Sequence, residues 1–434
     1  MTQPSRPSDA RPRRIAIAGV FDIANYGDQL FPLIAAHRLA PHGIEVCAVA
    51  PSASTRILPD AMTPQDAGWL LADPTPLDGI LIGGGNIIYN LRVDYLGARR
   101  ADGHWLEGGM HTGIWLAAAT SAALRDIPFA LNAPGVPYPF STATQRSVLK
   151  PVMDASDYIA VRDTASAALL PQDGRTVHVV PDTAIDIASM WPKASLQSAF
   201  ATLCARTGLG AKPYFVVHVR CRSDQRGKLQ CMADHLDRFA KSHQLVPLLL
   251  AIGNDLGDAD TLNALSSHMR TPAIVLDDPL NLKEMAASLA HAATYIGGSL
   301  HGYVTSLAYG VPGVIVTTQM HRKFAGFLAW AERADDLARH WEDALTKAAA
   351  HLRAGFRPQV PAVASDALRS HWARILMMLD APAKRSAQRA ALLRCLTSRA
   401  ILGAGVDWAM EPWSYRPPGT AHSAPEPSRG TPQS

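Results

Sequence analysis

The sequence predicts an α/β protein of two Rossmann-like domains, each with a parallel sheet, facing one another across a cleft. Three observations lead there. Short buried apolar runs alternate with helical segments along most of the chain, the pattern of βα repeats. Strand signals are sparse between Trp191 and Lys212, which divides the runs into two sets. The length of 434 residues exceeds one ordinary domain, and 48% apolar against 18% charged residues supplies material for sizeable cores.

The first set opens with Arg14-Ile-Ala-Ile-Ala-Gly-Val20, followed by a helix from Gln29 to Leu39 and a strand at Ile44 to Val49. Gly79 to Ile82 runs into a triple glycine, Ile127 to Leu131 into Asn132, Tyr158 to Val161 into Arg162-Asp163, and Val177 to Val180 into Pro181-Asp182. The second set comprises Tyr214 to Val219, Val246 to Ile252, Ala273 to Leu276, Ala293 to Ile296 and Gly313 to Thr317. The expected domains are therefore 14–195 and 196–380, followed by a helical segment at 381–410. The ends, 1–13 and 411–434, are rich in Pro, Ser, Gly and Arg and are expected to be disordered.

Bulk properties narrow the function classes. A net charge of +4 is small for this length and gathers near the ends, which disfavours a nucleic-acid partner. The five cysteines (Cys47, Cys204, Cys221, Cys231, Cys395) form no CxxC pair, so neither a zinc site nor a disulfide framework is indicated. Residues 1–10 hold no apolar signal core, and no apolar run approaches the roughly 20 residues of a membrane helix. A cytoplasmic protein is expected. The basic segment 384–399 admits two readings, a solvated terminal helix or a helix resting on anionic lipid at the inner face of the plasma membrane.

In sheets of this kind ligands gather beyond the carboxyl ends of the strands, and the unusual residues of this chain lie there. Asn25-Tyr-Gly-Asp28 follows the first strand. Asp28 is a candidate helix cap, and Gly27 suits either a tight turn or a nest of backbone amides for an anion. Gly83-Gly84-Gly85-Asn86 allows a ligand to approach the backbone closely but lacks the dinucleotide fingerprint. Arg162-Asp163 reads either as a capped helix start with a local ion pair or as an anion contact, and Asp182 ends another strand. Alternation puts His218 and Arg220 on one face at the end of a strand. His301 falls where the Gly-rich turn after Tyr295 becomes a helix, among Ser299, Gly302 and the break Gly310-Val-Pro312. A proton donor at a helix start, where unpaired amides favour an anion, suits a phosphorylated or carboxylated substrate. Lys323, after the next strand, adds a cation.

In this ordered series the chain resembles the polysaccharide pyruvyl transferase family. The series is Asn25-Tyr-Gly-Asp28, Gly83-Gly-Gly-Asn86, Val161-Arg-Asp163, Val180-Pro-Asp182, His218-Val-Arg220, Leu300-His-Gly302, Ala308-Tyr-Gly-Val-Pro312 and Lys323, spanning about 14–330. The resemblance implies two Rossmann-like domains in a GT-B-like arrangement. It also implies transfer of an enolpyruvate-derived group from phosphoenolpyruvate to a sugar hydroxyl, giving a ketal on an exopolysaccharide or cell-surface glycan. The family often has an arginine where this chain has Ser299, so one expected anion contact is missing. No cofactor or metal is expected beyond phosphoenolpyruvate as donor. The acceptor is a glycan, either free or lipid-linked.

On this reading His301 is the general acid that protonates phosphoenolpyruvate at C3, and Arg220 clamps its carboxylate or phosphate with Lys323 assisting. Asp182 or Asp28 orients or deprotonates the acceptor hydroxyl. Two rivals stay open: a GT-B glycosyltransferase using a nucleotide sugar, and a non-catalytic glycan- or anion-binding relative.

Overall fold

The computed structural model describes residues 11–53, 58–90, 110–172, 174–220, 228–254, 257–317 and 322–405. Most of the two expected tails, together with residues 406–410 and Cys221, lies outside these residues.

The first sheet holds β1 (Arg13–Ala18), β2 (Ile44–Ala50), β3 (Gln65–Asp66), β4 (Gly79–Gly83), β5 (Phe129–Asn132), β6 (Tyr158–Val161) and β7 (His178–Val179). All pairings are parallel, in the order β3-β2-β1-β4-β5-β6-β7. The second sheet holds β8 (Tyr214–His218), β9 (Val246–Leu250), β10 (Ile274–Leu276), β11 (Tyr295–Gly297), β12 (Gly313–Val316) and β13 (Leu337–Ala338). It too is parallel, in the order β10-β9-β8-β11-β12-β13. In both sheets the order reverses between the first and fourth strands of the set, β1 and β4 or β8 and β11. These are the switch points where such sheets open a crevice beyond their carboxyl ends.

The central strands read as unbroken apolar runs because helices cover both faces. Ile15, Ile17 and Leu81 point to one side of the first sheet, and Ala16, Ala18, Ile80 and Ile82 to the other. In the second sheet Val216, Leu248 and Ile315 share the layer that holds Ile15 and Ile17, while Phe215, Val217 and Val314 face away. One apolar layer thus runs continuously between the two sheets. The helix Tyr26–Leu39 meets the helix Leu300–Ala308 in this layer, and the Tyr26 hydroxyl lies 3.0 Å from Thr305 Oγ1.

Two expectations about domain limits change. Arg13 already belongs to β1, and Arg11 pairs with Asp78 at 2.9 Å, so the N-terminal tail is shorter than 1–13. The helix Ala362–Asp380 was assigned to the second domain but packs on the first. Its apolar face fills the first sheet's cover, with Leu379 against Gly79; the Trp372 indole donates to Asp186 at 3.0 Å, and His371 bridges Asn132 and Tyr158 at 2.8 and 3.1 Å.

The basic helix Ser386–Ala404 is not fully solvated but docks on the first domain. Arg389, only 3% exposed, holds Asp157 at 2.7 Å and Asp126 at 2.9 Å, and Arg399 bonds Ser147. Arg389 and Arg399 thus dock the helix to the first domain, while Arg394 is exposed. No helix among the described residues is long and apolar enough to cross a membrane.

Candidate active site

Both switch points open on one cavity of about 420 Å³, within the range of small-molecule sites. Asn25, Asp28, Gly85, Asn86 and Arg162 line it from the first domain; His218, Arg220, Asp258, Ser299, His301 and Lys323 line it from the second. The domains are stitched at its edge, where Asn25 bridges Gly253 and the Tyr26 amide donates to the Ile252 carbonyl at 2.9 Å.

Local sequence explains how each group is held. Asn25, not Asp28, caps the first helix, its side chain accepting the Gly27 amide at 3.1 Å. An extended backbone precedes the helix at Asn25, whereas Asp28 already lies in the first turn and turns into the cavity. Gly84 and Gly85 have φ of +82° and +68°, a region costly to any other residue, and a side chain at Gly84 would collide with Phe31. Ser299 is the N-cap of the helix Leu300–Ala308, accepting the Gly302 amide at 3.3 Å. That places His301 in the first turn, its ring edge-on to Phe31 with centroids 5.4 Å apart.

Behind the cavity wall lies a buried charge cluster. Arg162 donates to Asp182 at 3.1 Å and to Asn86 at 2.5 Å, and its Nε is 3.8 Å from Asp163. Asp163 in turn caps the next short helix through the Ser166 amide, so the reading of this pair as a capped helix start with a local ion pair is realised. His301 Nε2 lies 3.7 Å from Asp182 Oδ2, beyond hydrogen-bond reach but close enough for the charges to interact.

The electrostatics follow from crowding. Burial opposes ionisation of Asp182, but His301, Arg162 and the Ala184 amide outweigh it and bring the carboxyl down to about 2. Burial pushes Asp28 above the usual carboxylate range despite His301, Lys323 and Arg162 nearby. Lys323 is driven down to about 7, first by burial and then by Arg220 and Arg162, with Asp28 and Asp182 pulling the other way. The cavity therefore gathers two guanidiniums, an ammonium poised to gain or lose its proton, and two imidazoles. Such a site suits an acid bearing both phosphate and carboxylate.

The family model for polysaccharide pyruvyl transferase matches residues 25–319, a stretch that contains nearly every residue of this cavity. The chain belongs to the polysaccharide pyruvyl transferase family. No curated protein matches it. Among solved structures, the UDP-GlcNAc 2-epimerase of Methanocaldococcus jannaschii superposes with a TM-score of 0.55 at 14% identity, over 84% of this chain and 99% of that one. MnaA from S. aureus, solved with UDP, gives 0.50 at 12% identity, over 85% and 98%. At such identities the likeness is one of fold, a GT-B-like pair of parallel-sheet domains.

In this pyruvyl transferase the structure sorts the residues singled out by sequence. Asn25, Asp28, Gly85, Asn86, Arg162, Arg220, Ser299, His301 and Lys323 line one cavity. Gly27, Gly84 and Gly302 support it from behind, making room for His301, Phe31 and Tyr295. Asp182 is also behind the wall, bound to Arg162 and the Ala184 amide and 3.7 Å from His301 Nε2, and does not line the cavity. Sequence reasoning missed Asp258. It begins the helix Asp258–His268 and hydrogen-bonds His218 Nε2 at 2.9 Å. Nothing in its local sequence distinguishes it from a first-turn aspartate.

Proposed function

We propose that this transferase takes an enolpyruvate-derived group from phosphoenolpyruvate and joins it as a ketal to hydroxyls of a surface glycan. The observation that carries this reading is the convergence of Arg162, Arg220, Lys323 and His301, from both domains, on a single cavity. Phosphoenolpyruvate presents two anionic groups and one carbon that must be protonated. Two guanidiniums and an ammonium match the anions; an imidazole in a helix's first turn supplies the proton.

The chemistry then divides among the side chains. Arg220 and Arg162 hold carboxylate and phosphate, and Lys323 completes the phosphate contact in place of the arginine that Ser299 lacks. His301 donates to C3, and Asp182 beside it stabilises the imidazolium while it waits. Cationic charge around the phosphate also eases its departure from C2.

The test is phosphate release and a pyruvyl mass gain on glycans from cells with and without the protein. His301→Ala is expected to lose about 10²–10⁴-fold in turnover with binding retained. Arg220→Lys is expected chiefly to raise the KM for phosphoenolpyruvate. Calorimetric binding of a UDP-sugar without binding of phosphoenolpyruvate would instead favour a nucleotide-sugar glycosyltransferase.

A further inference from the structure

His218 ends β8 with its side chain 3% exposed, against the cavity. Its Nε2 lies 2.9 Å from Asp258 Oδ2, which also accepts the Gly253 amide at 2.8 Å. Its Nδ1 is buried and has no hydrogen-bond partner among the described residues. Buried polar atoms without partners are rare, and one facing a substrate cavity invites a functional explanation.

Asp258 fixes which nitrogen carries hydrogen. Burial works against its ionisation, but His218, the Gly253 amide and Arg220 prevail and hold it below the usual carboxylate range. An ionised carboxylate only accepts, so Nε2 donates to Asp258, and in the neutral form of the ring the lone pair is on Nδ1. Glycines on the neighbouring segment put no side chain against that nitrogen. His218 stands opposite Gly297 in the β8–β11 register, and a Cβ built on the next residue, Gly298, would come 4.0 Å from Nδ1 and 3.7 Å from Arg220 Cβ.

We propose that His218 is the base for the acceptor hydroxyl, with Asp258 as its positioning residue; this rests on the phosphoenolpyruvate reading above. Once His301 has protonated C3, the acceptor oxygen bonds to C2 while its O–H breaks and the proton passes to Nδ1. The C2–O bond to phosphate then breaks, and phosphate leaves as hydrogenphosphate carrying that proton. A second hydroxyl closes the ketal, and its proton replaces the one given to C3. Asp258 stabilises the imidazolium formed in between, as a carboxylate does in hydrolytic triads. The two carboxylates named from sequence serve less well: Asp182 is behind the wall on Arg162, and Asp28 lies beside the acid, His301.

The experiment measures phosphate release with phosphoenolpyruvate and p-nitrophenyl hexosides bearing free 4,6-diols, beside calorimetric binding of phosphoenolpyruvate. His218→Gln should bind phosphoenolpyruvate within about twofold of wild type yet turn over about 10²–10⁴-fold more slowly. The deficit should shrink for a fluorinated hexoside whose hydroxyl is more acidic, a dependence that a merely structural histidine would not produce. Asp258→Asn, which forces the hydrogen onto Nδ1, should reproduce the loss in kcat with KM little changed. Turnover within threefold of wild type in either variant, or a deficit indifferent to hydroxyl acidity, overturns the assignment. Wild-type protein that fails to bind phosphoenolpyruvate at all overturns the donor reading instead, a distinguishable result.

Discussion

Gly27 and His301 compete for one volume: a Cβ built on Gly27 falls inside the imidazole of His301. Gly27 has ordinary helical backbone, so by propensity alone alanine would stabilise this helix by about 1 kcal/mol. The collision reverses that sign. Gly27→Ala is expected to lower stability by about 1–3 kcal/mol and to displace the ring. Thermal unfolding and turnover should fall together, and a more stable, fully active variant would contradict the packing described.

On the phosphoenolpyruvate reading, Lys323 is expected to make phosphate binding depend on pH. Its ammonium is held down to about 7 in the free protein, and a bound phosphate must raise it. Binding therefore takes up a proton above pH 7, and affinity for phosphoenolpyruvate declines as pH rises through that value. Calorimetry in buffers of different ionisation heat reads the uptake directly, and Lys323→Arg should abolish it. For the free protein the sign is opposite. The unfolded lysine keeps its proton to about pH 10.4, so stability increases between about pH 7 and 10.

Arg162 is expected to matter for folding before it matters for turnover. Its side chain and that of Asp182 are 4% and 2% exposed, so removing the cation strands a buried carboxylate. Arg162→Met should cost about 3–5 kcal/mol in chemical denaturation. Adding Asp182→Asn should recover much of that loss without recovering activity, since the neutral partner no longer supports His301.

Arg389 separates docking from membrane attachment. Arg389→Ala leaves Asp157, itself buried, without its closest cation and is expected to cost about 3–5 kcal/mol. Limited proteolysis should then cut near the helix Ser386–Ala404 first. Flotation with anionic vesicles should not change, because the arginine faces the first domain and not the solvent.

Much of this was legible in the sequence where burial is symmetrical. Strands such as Tyr158–Val161 and Tyr214–His218 are covered on both faces, so they announce themselves as continuous apolar runs. The edge strands Gln65–Asp66 and Leu337–Ala338 are two residues long and leave no such trace. The helix Ala362–Asp380 shows an apolar face, but periodicity cannot say which of two cores that face enters. The same limit hid the docking of Arg389, since a charge paired across 232 residues looks like any surface cation. At the site, glycines and strand-end polar residues pointed to the cavity. Choosing between Asn25 and Asp28 as the cap turned on backbone angles, and linking His218 to Asp258 needed the fold itself.

Because His301 comes from one domain while Gly27, Arg162 and Asp182 come from the other, the imidazole meets these neighbours only with the seam shut. On the proposed reaction, a molecule whose domains part would lose the pairing of ring and carboxylate, and idle hydrolysis of a costly donor would be checked by geometry.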